Sequence, residues 1–244
     1  VHLREGEIAY RVVREAVLES GIAPYDEHRH SKGLRHLIIR TSDKSGMAQV
    51  VLITNKIEQA TLKKLAENII SRSEKIAGVF YSENNNKGNV ILGKTVIHLA
   101  GSKTLTINIG KWIYETGPAS FFQVNPAQAN IMVNKVLELA DIKSNDCVVD
   151  AYCGTGFFSI PLATKAAEVI GIEEVDEAVA LAVRNAVHNE ATNVRFICGA
   201  SEEIITSIDN FSIALVDPPR KGCAESFLHA IIKKGIQKFI YVSC

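Results

Sequence analysis

The sequence predicts a doubly wound, Rossmann-like α/β sheet in its second half, preceded by a smaller α+β domain. Three observations predict it. From residue 146 onward, apolar strand-like runs alternate with helical segments. The first run ends in a glycine turn, Asp150-Ala-Tyr-Cys-Gly-Thr-Gly156, that opens a helix. Later runs end at Glu173 and Asp217, placing acids outside the carboxyl ends of strands, where ligands of parallel sheets bind.

Taken in order, the first half reads as a helix over 6–19, strands at 34–40 and 47–54, and a helix over 58–72. Strands near 77–81, 90–93 and 104–109 follow, with a polar tip at Glu83-Asn-Asn-Asn-Lys-Gly88. The boundary falls near 115–125, giving domains 1–118 and 119–244. The second half opens with a helix whose N-cap is Asn125 and whose first residue is Pro126. Ala129, Met132, Val133, Val136, Leu137 and Ala140 share one face of it. Strands are predicted at 146–151, 168–173, 193–198, 212–217 and 237–244, with helices at 157–165, 176–189, 202–207 and 224–234. The last strand, Lys238-Phe-Ile-Tyr-Val-Ser-Cys244, reads as buried and brings a cysteine to the ligand end of the sheet. The chain starts at Val1 and stops on this strand, so it reads as a piece of a longer protein truncated after the fifth strand.

Composition bounds the function classes. At 47% hydrophobic and 22% charged residues the chain is of ordinary globular type. No uncharged apolar run approaches the roughly 18–20 residues that span a bilayer, and residues 1–20, charged throughout, do not read as a signal peptide. The five cysteines, Cys147, Cys153, Cys198, Cys223 and Cys244, are odd in number and form no C-x-x-C pair. That argues against a disulfide framework and against a metal or iron–sulfur site in this chain, and for a cytoplasmic setting. Residues 1–125 hold 17 Lys+Arg against 12 Asp+Glu, and residues 126–244 hold 10 against 15. A basic first half suits an anionic partner such as RNA, although an uneven scatter of solvated charge gives the same count.

The chemistry lies in four segments. Gly154 and Gly156 let backbone approach a ligand closely. Glu173 follows Asp150 by 23 residues, and an acid about 20 residues on suits a ribose hydroxyl pair. The loop is shorter than G-x-G-x-x-G, which fits a nucleoside ligand without a pyrophosphate, such as S-adenosylmethionine. Cys153 inside this loop reads as a small buried packing residue. Asp217-Pro-Pro-Arg-Lys-Gly222 ends the fourth strand; its prolines hold the backbone extended and turn carbonyls and the carboxylate toward the cleft. Cys244 suits covalent catalysis: a thiolate added to C6 of uracil makes C5 enolate-like and able to accept a methyl group. Phe121-Phe-Gln-Val-Asn125 offers aromatic faces and an amide to an extruded base.

The set F-F-Q-V-N, D-x-x-C-G-T-G, D-P-P-R-K-G and Y-V-S-C, in this order, resembles the RNA 5-methyluridine (uracil-C5) methyltransferase family. The likeness is strong over 115–244. Over 1–114 it rests on segments such as Gly33-Leu-Arg-His-Leu-Ile-Ile-Arg40, which are similar to that family's central domain. The resemblance implies that Gln123, Tyr152, Glu173 and Asp217 bind S-adenosylmethionine, and that Asp217 also faces the uracil. It implies further that Cys244 is the nucleophile, that Phe121 holds the flipped base, and that Arg220 and Lys221 meet phosphates. Members of the family often carry an N-terminal barrel or an iron–sulfur cluster, and their proton-abstracting Glu lies beyond the position of Cys244. A monomer that binds cofactor without multiple turnover is therefore expected of this chain alone.

The Arg-Lys-Gly ending of the fourth-strand motif tilts the substrate toward ribosomal RNA, 23S in particular. The same reaction on transfer RNA stays open. So do an RNA cytosine-C5 methyltransferase, which typically has Pro-Cys at the fourth-strand tip, and a non-catalytic RNA-binding module.

Overall fold

The computed structural model describes residues 4–42, 44–120, 123 and 125–243. The chain divides into two compact units. One runs to Ile107 and takes in Thr116–Ala119; the other comprises Asn108–Glu115 and the chain from Ser120 onward.

In the first unit, α1 (Arg4–Ser20) leads to strands β1 (Gly33–Thr41) and β2 (Ala48–Asn55). Then come α2 (Gln59–Arg72), β3 (Ile76–Glu83) and β4 (Ile97–Gly101). The sheet runs in order β1-β2-β3-β4, with β2 and β3 parallel and the outer pairs antiparallel. Every residue of β2 is buried. Its Ala48, Val50 and Leu52 pack in one cluster with Ala9, Val13 and Ala16 of α1 and Leu62, Leu65 and Ile69 of α2. Both helices present apolar residues three and four apart, so one stripe of each meets the sheet. Burying each of the larger side chains contributes roughly 1.5–3 kcal/mol.

The strand expected at 90–93 is absent. Val90 and Ile91 are exposed, and their carbonyls accept hydrogen bonds from the buried Asn84 side-chain amide at 2.6 and 3.0 Å. The segment is a loop pinned by that amide, and the edge strand forms instead at Ile97–Gly101.

Two strands follow, β5 (Leu105–Ile109) and β6 (Trp112–Thr116), paired through a tight turn at Gly110-Lys111. Gly110 has φ +56°, and a Cβ there would lie 2.2 Å from Asn130 Oδ1, so the turn requires glycine. β6 was not foreseen, although its alternate residues Trp112, Tyr114 and Thr116 are buried.

The second unit continues with α3 (Pro126–Ala140), β7 (Cys147–Ala151), α4 (Ser159–Ala163), β8 (Glu168–Glu173) and α5 (Asp176–His188). It closes with β9 (Val194–Cys198), α6 (Ser201–Ser207), β10 (Ile213–Val216), α7 (Glu225–Lys234) and β11 (Lys238–Tyr241). Asn125 caps α3, its side chain accepting the Gln128 N–H at 3.2 Å. The five strands are parallel in order β11-β10-β7-β8-β9. The chain leaves β7 for β8 on one side and returns to β10 on the other, so the strand order reverses beside β7, the usual ligand site of such sheets. β7, β8 and β10 are apolar and buried as central parallel strands must be. β11 lies at the sheet edge, as expected of a fifth strand with no further strand beside it, but it is not the buried strand its apolar run suggests: only Ile240 is buried, and Phe239 and Tyr241 are exposed. No helix among the described residues is long and apolar enough to cross a membrane.

Candidate functional site

Strand register brings the site together. Ala151 pairs with Ile172 on one side and with Val216 on the other, so the next residues, Tyr152, Glu173 and Asp217, emerge level with one another. Val216 pairs with Tyr241, which brings Val242 to the same level. The Val242 N–H donates to Val216 O at 2.9 Å and extends the ladder by one residue. Cys244 lies outside the described residues, as does Phe121.

The glycine turn is built on left-handed backbone. Tyr152, Gly154 and Gly156 have φ of +62°, +55° and +83°. Nothing lies within 4 Å of a Cβ built on Gly154, so backbone is presented openly there. Glu173 holds this shape: its carboxylate accepts the Gly154 N–H at 3.0 Å and the Val175 N–H at 2.9 Å. Each oxygen keeps a further lone pair for a ligand hydroxyl.

Tyr152 packs its ring against Phe227 at 5.9 Å between centroids. Its hydroxyl accepts the Ala224 N–H and sits against the Cys223 thiol, and burial first of all pushes its pKa up to about 12. It therefore ties the glycine turn to the loop after Asp217. Cys153 is buried, and burial pushes its thiol far up, so it is a packing residue.

Asp150 is a buried acid beneath the turn. One of its oxygens accepts the Ser159 hydroxyl at 2.5 Å, and the other has no partner among the described residues. Burial pushes its pKa up to about 7; Ser159 opposes this, while Asp217 and Glu173 push it further. Burial also pushes the Asp217 carboxyl up. Glu173 and Asp217 thus stand at one strand-end region above the buried Asp150, and acidic side chains so placed suit a cationic ligand bearing hydroxyls. S-adenosylmethionine, with its sulfonium, ammonium and ribose diol, has this chemistry.

Gln123 lies two residues before the Asn125 cap and is partly buried; no hydrogen bond among the described residues ties it to the strand tips. Arg220 is exposed in the turn closed by Gly222 N–H to Pro219 O at 2.8 Å.

Sequence reasoning missed a set of residues that grip the turn from behind. Tyr114 donates its hydroxyl to Phe157 O at 2.9 Å, and Asn185 donates to Thr155 O at 3.0 Å. The available signal was Asn185, a poor helix former inside α5, four residues before the Asn189 C-cap.

The model of the tRNA (uracil-5-)-methyltransferase family matches residues 42–244. The chain belongs to that family. An uncharacterized RNA methyltransferase of Clostridium tetani is 39% identical over 238 residues, covering 96% of this chain and 52% of that protein. One from Clostridium acetobutylicum is 38% identical over 237 residues, covering 96% and 52%. The chain thus spans about half the length of the curated relatives it matches. Among solved structures, a Pyrococcus abyssi tRNA (uracil-54, C5)-methyltransferase in complex with S-adenosyl-L-homocysteine superposes with TM-score 0.81 at 25% identity, covering 99% of this chain and 58% of that one. Pyrococcus abyssi Trm5b shares the fold more distantly, with TM-score 0.52 at 19% identity over 87% of this chain and 60% of its own.

Proposed function

We propose that the protein transfers a methyl group from S-adenosylmethionine to C5 of a uridine in RNA. The observation that carries this reading is the level row of Tyr152, Glu173 and Asp217 at the sheet's switch point, with Glu173 bonded to Gly154. Glu173 takes the ribose hydroxyls, Gly154 and Gly156 present backbone, and Gln123, Tyr152 and Asp217 complete the cofactor site. S-adenosylmethionine, when bound, supplies an electrophilic methyl group.

Cys244, as thiolate, adds to C6 of the uracil, and the electrons of the C5–C6 double bond move toward C5 and its carbonyl. C5 then carries the charge that takes the methyl group, the S–CH3 bond breaking with its electron pair left on sulfur and S-adenosylhomocysteine as the leaving group. A general base removes the C5 proton, the double bond re-forms, and the Cys244 thiolate leaves. Asp217 faces the uracil, Phe121 stacks on the flipped base, and Gln123 meets its polar edge. Arg220 and the basic residues of domain 1–118 meet phosphates.

Ribosomal RNA is the first substrate to test, on the strength of Arg220-Lys221-Gly222. Transfer RNA is the second reading, favoured by the likeness to a tRNA enzyme. The test incubates the protein, extended to the length of its relatives, with methyl-labelled cofactor and separate 23S fragments and tRNA transcripts. Digestion to nucleosides should place the label in 5-methyluridine. Label in 5-methylcytidine would support the cytosine enzyme, and no label with any RNA would support the non-catalytic module.

A further inference from the structure

Strand β6 is not left with a bare edge. Two side chains at the end of α5, Asn185 in its last turn and Asn189 at its C-cap, continue its ladder. The Ile113 N–H donates to Asn189 Oδ1 at 2.9 Å, and Asn189 Nδ2 donates back to Ile113 O at 2.6 Å. The Glu115 N–H donates to Asn185 Oδ1 at 2.6 Å, and Asn185 Nδ2 donates back to Glu115 O at 3.1 Å. The geometry has a simple cause. Residues four apart in a helix are separated by about 6 Å along its axis. Residues two apart on a strand are separated by about 6.6–6.8 Å and point the same edge outward. Two asparagines one turn apart therefore match alternate residues of a strand.

Asn185 differs from Asn189 in two respects. It is fully buried, and its Nδ2 also donates to Thr155 O of the glycine turn at 3.0 Å. From β6 itself, the fully buried Tyr114 donates its hydroxyl to Phe157 O at 2.9 Å. Both carbonyls belong to the segment whose N–H at Gly154 is held by Glu173. The turn is thus gripped on its ligand side by one acid and on its far side by β6 and Asn185.

We infer that β6 is part of the cofactor site, with Asn185 and Tyr114 as positioning residues that hold the Gly154–Phe157 backbone in its ligand-binding shape. The inference rests on the S-adenosylmethionine reading of the turn. Binding at the turn and docking of β6 are then linked, and linkage is reciprocal: the ligand tightens β6, and β6 tightens the ligand.

The protein carries its own reporter, because its single tryptophan, Trp112, is the first residue of β6 and is 8% exposed. The experiment titrates S-adenosylhomocysteine into the 244-residue chain and into Asn185→Ala, Tyr114→Phe and Asn189→Ala. It reads affinity, acrylamide quenching of Trp112, and amide exchange at Ile113 and Glu115. In the unsubstituted chain the ligand should slow exchange at both amides and reduce quenching. Loss of one neutral hydrogen bond is roughly a fivefold effect, so Tyr114→Phe should weaken binding about fivefold and Asn185→Ala by about tenfold or more. Asn189→Ala, which loosens β6 without touching the turn, acts only through that linkage and should weaken binding less than Tyr114→Phe does. If Asn185→Ala does not fold, Tyr114→Phe, which removes one oxygen, decides alone. Tyr114→Phe binding as tightly as the parent, or all variants weakened alike, would overturn the inference. Absence of binding by the unsubstituted chain would instead overturn the cofactor reading on which it stands.

Discussion

Replacing Asp150 by asparagine should flatten the dependence of stability on pH. The acid is fully buried, one oxygen accepts the Ser159 hydroxyl and the other has no partner among the described residues. Its folded-state pKa is about 7, against an ordinary 3.8. The folded state therefore binds the Asp150 proton more tightly than the unfolded state does. The stability it contributes is complete below about pH 4, declines as pH rises toward 7, and is gone above that. A difference of about three pKa units at about 1.4 kcal/mol each is about 4 kcal/mol over that window. Asparagine cannot ionise, keeps an oxygen for Ser159, and removes this slope. Urea unfolding of the second unit, followed through Trp112 between pH 4 and 8, measures it. The parent curve should fall by up to about 4 kcal/mol relative to that of Asp150→Asn, and the variant should be the more stable protein at pH 8. Parallel curves for the two proteins over this range would refute the reasoning.

Other predictions follow from single contacts. Glu173→Gln leaves one of two backbone N–H groups facing an amide N–H; at roughly 1.5–3 kcal/mol for a charge-assisted bond, calorimetry should find S-adenosylhomocysteine bound about ten- to a hundredfold more weakly, and unchanged affinity would contradict the assignment. Gln49 is buried in β2 with neither end of its amide partnered among the described residues. Gln49→Met should therefore stabilise the first unit by about 1–3 kcal/mol, and a lower urea midpoint would show that the amide has a partner. A Cβ on Gly171 would lie 2.5 Å from Phe196 and 3.0 Å from the Cys153 sulfur. Gly171→Ala should cost about 1–3 kcal/mol of stability by overpacking, with an unshifted melting temperature as the contrary result.

The strand tips were legible because each apolar run passes into an acid at or next to its strand's end. The run Val148-Val149 passes into Asp150 and then the glycine turn, Ile170 to Ile172 into Glu173, and Ala214 to Val216 into Asp217 and two prolines. The apolar run at 90–92 misled for a specific reason. Nothing local reveals that the Asn84 amide claims two of its carbonyls, while the true edge strand, Ile97–Gly101, has one buried residue and little pattern. β6 was readable in principle, since Trp112, Tyr114 and Thr116 alternate with outward residues. The latch was not readable, because Asn185 meets Glu115 across 70 positions of sequence. A helix periodicity shows that a residue faces inward without showing which backbone group awaits it.

The central claim is that Cys244 attacks C6 of a uracil beside a bound S-adenosylmethionine. The most direct measurement presents the protein, at the length of its relatives, with S-adenosylmethionine and RNA containing 5-fluorouridine. Fluorine cannot leave as a proton does, so the methylated adduct cannot resolve. The account predicts a protein–RNA band that survives denaturation, is formed with one RNA class, and is lost in Cys244→Ser. Measured cofactor binding with no adduct on any RNA, or an adduct that persists in Cys244→Ser, would contradict it.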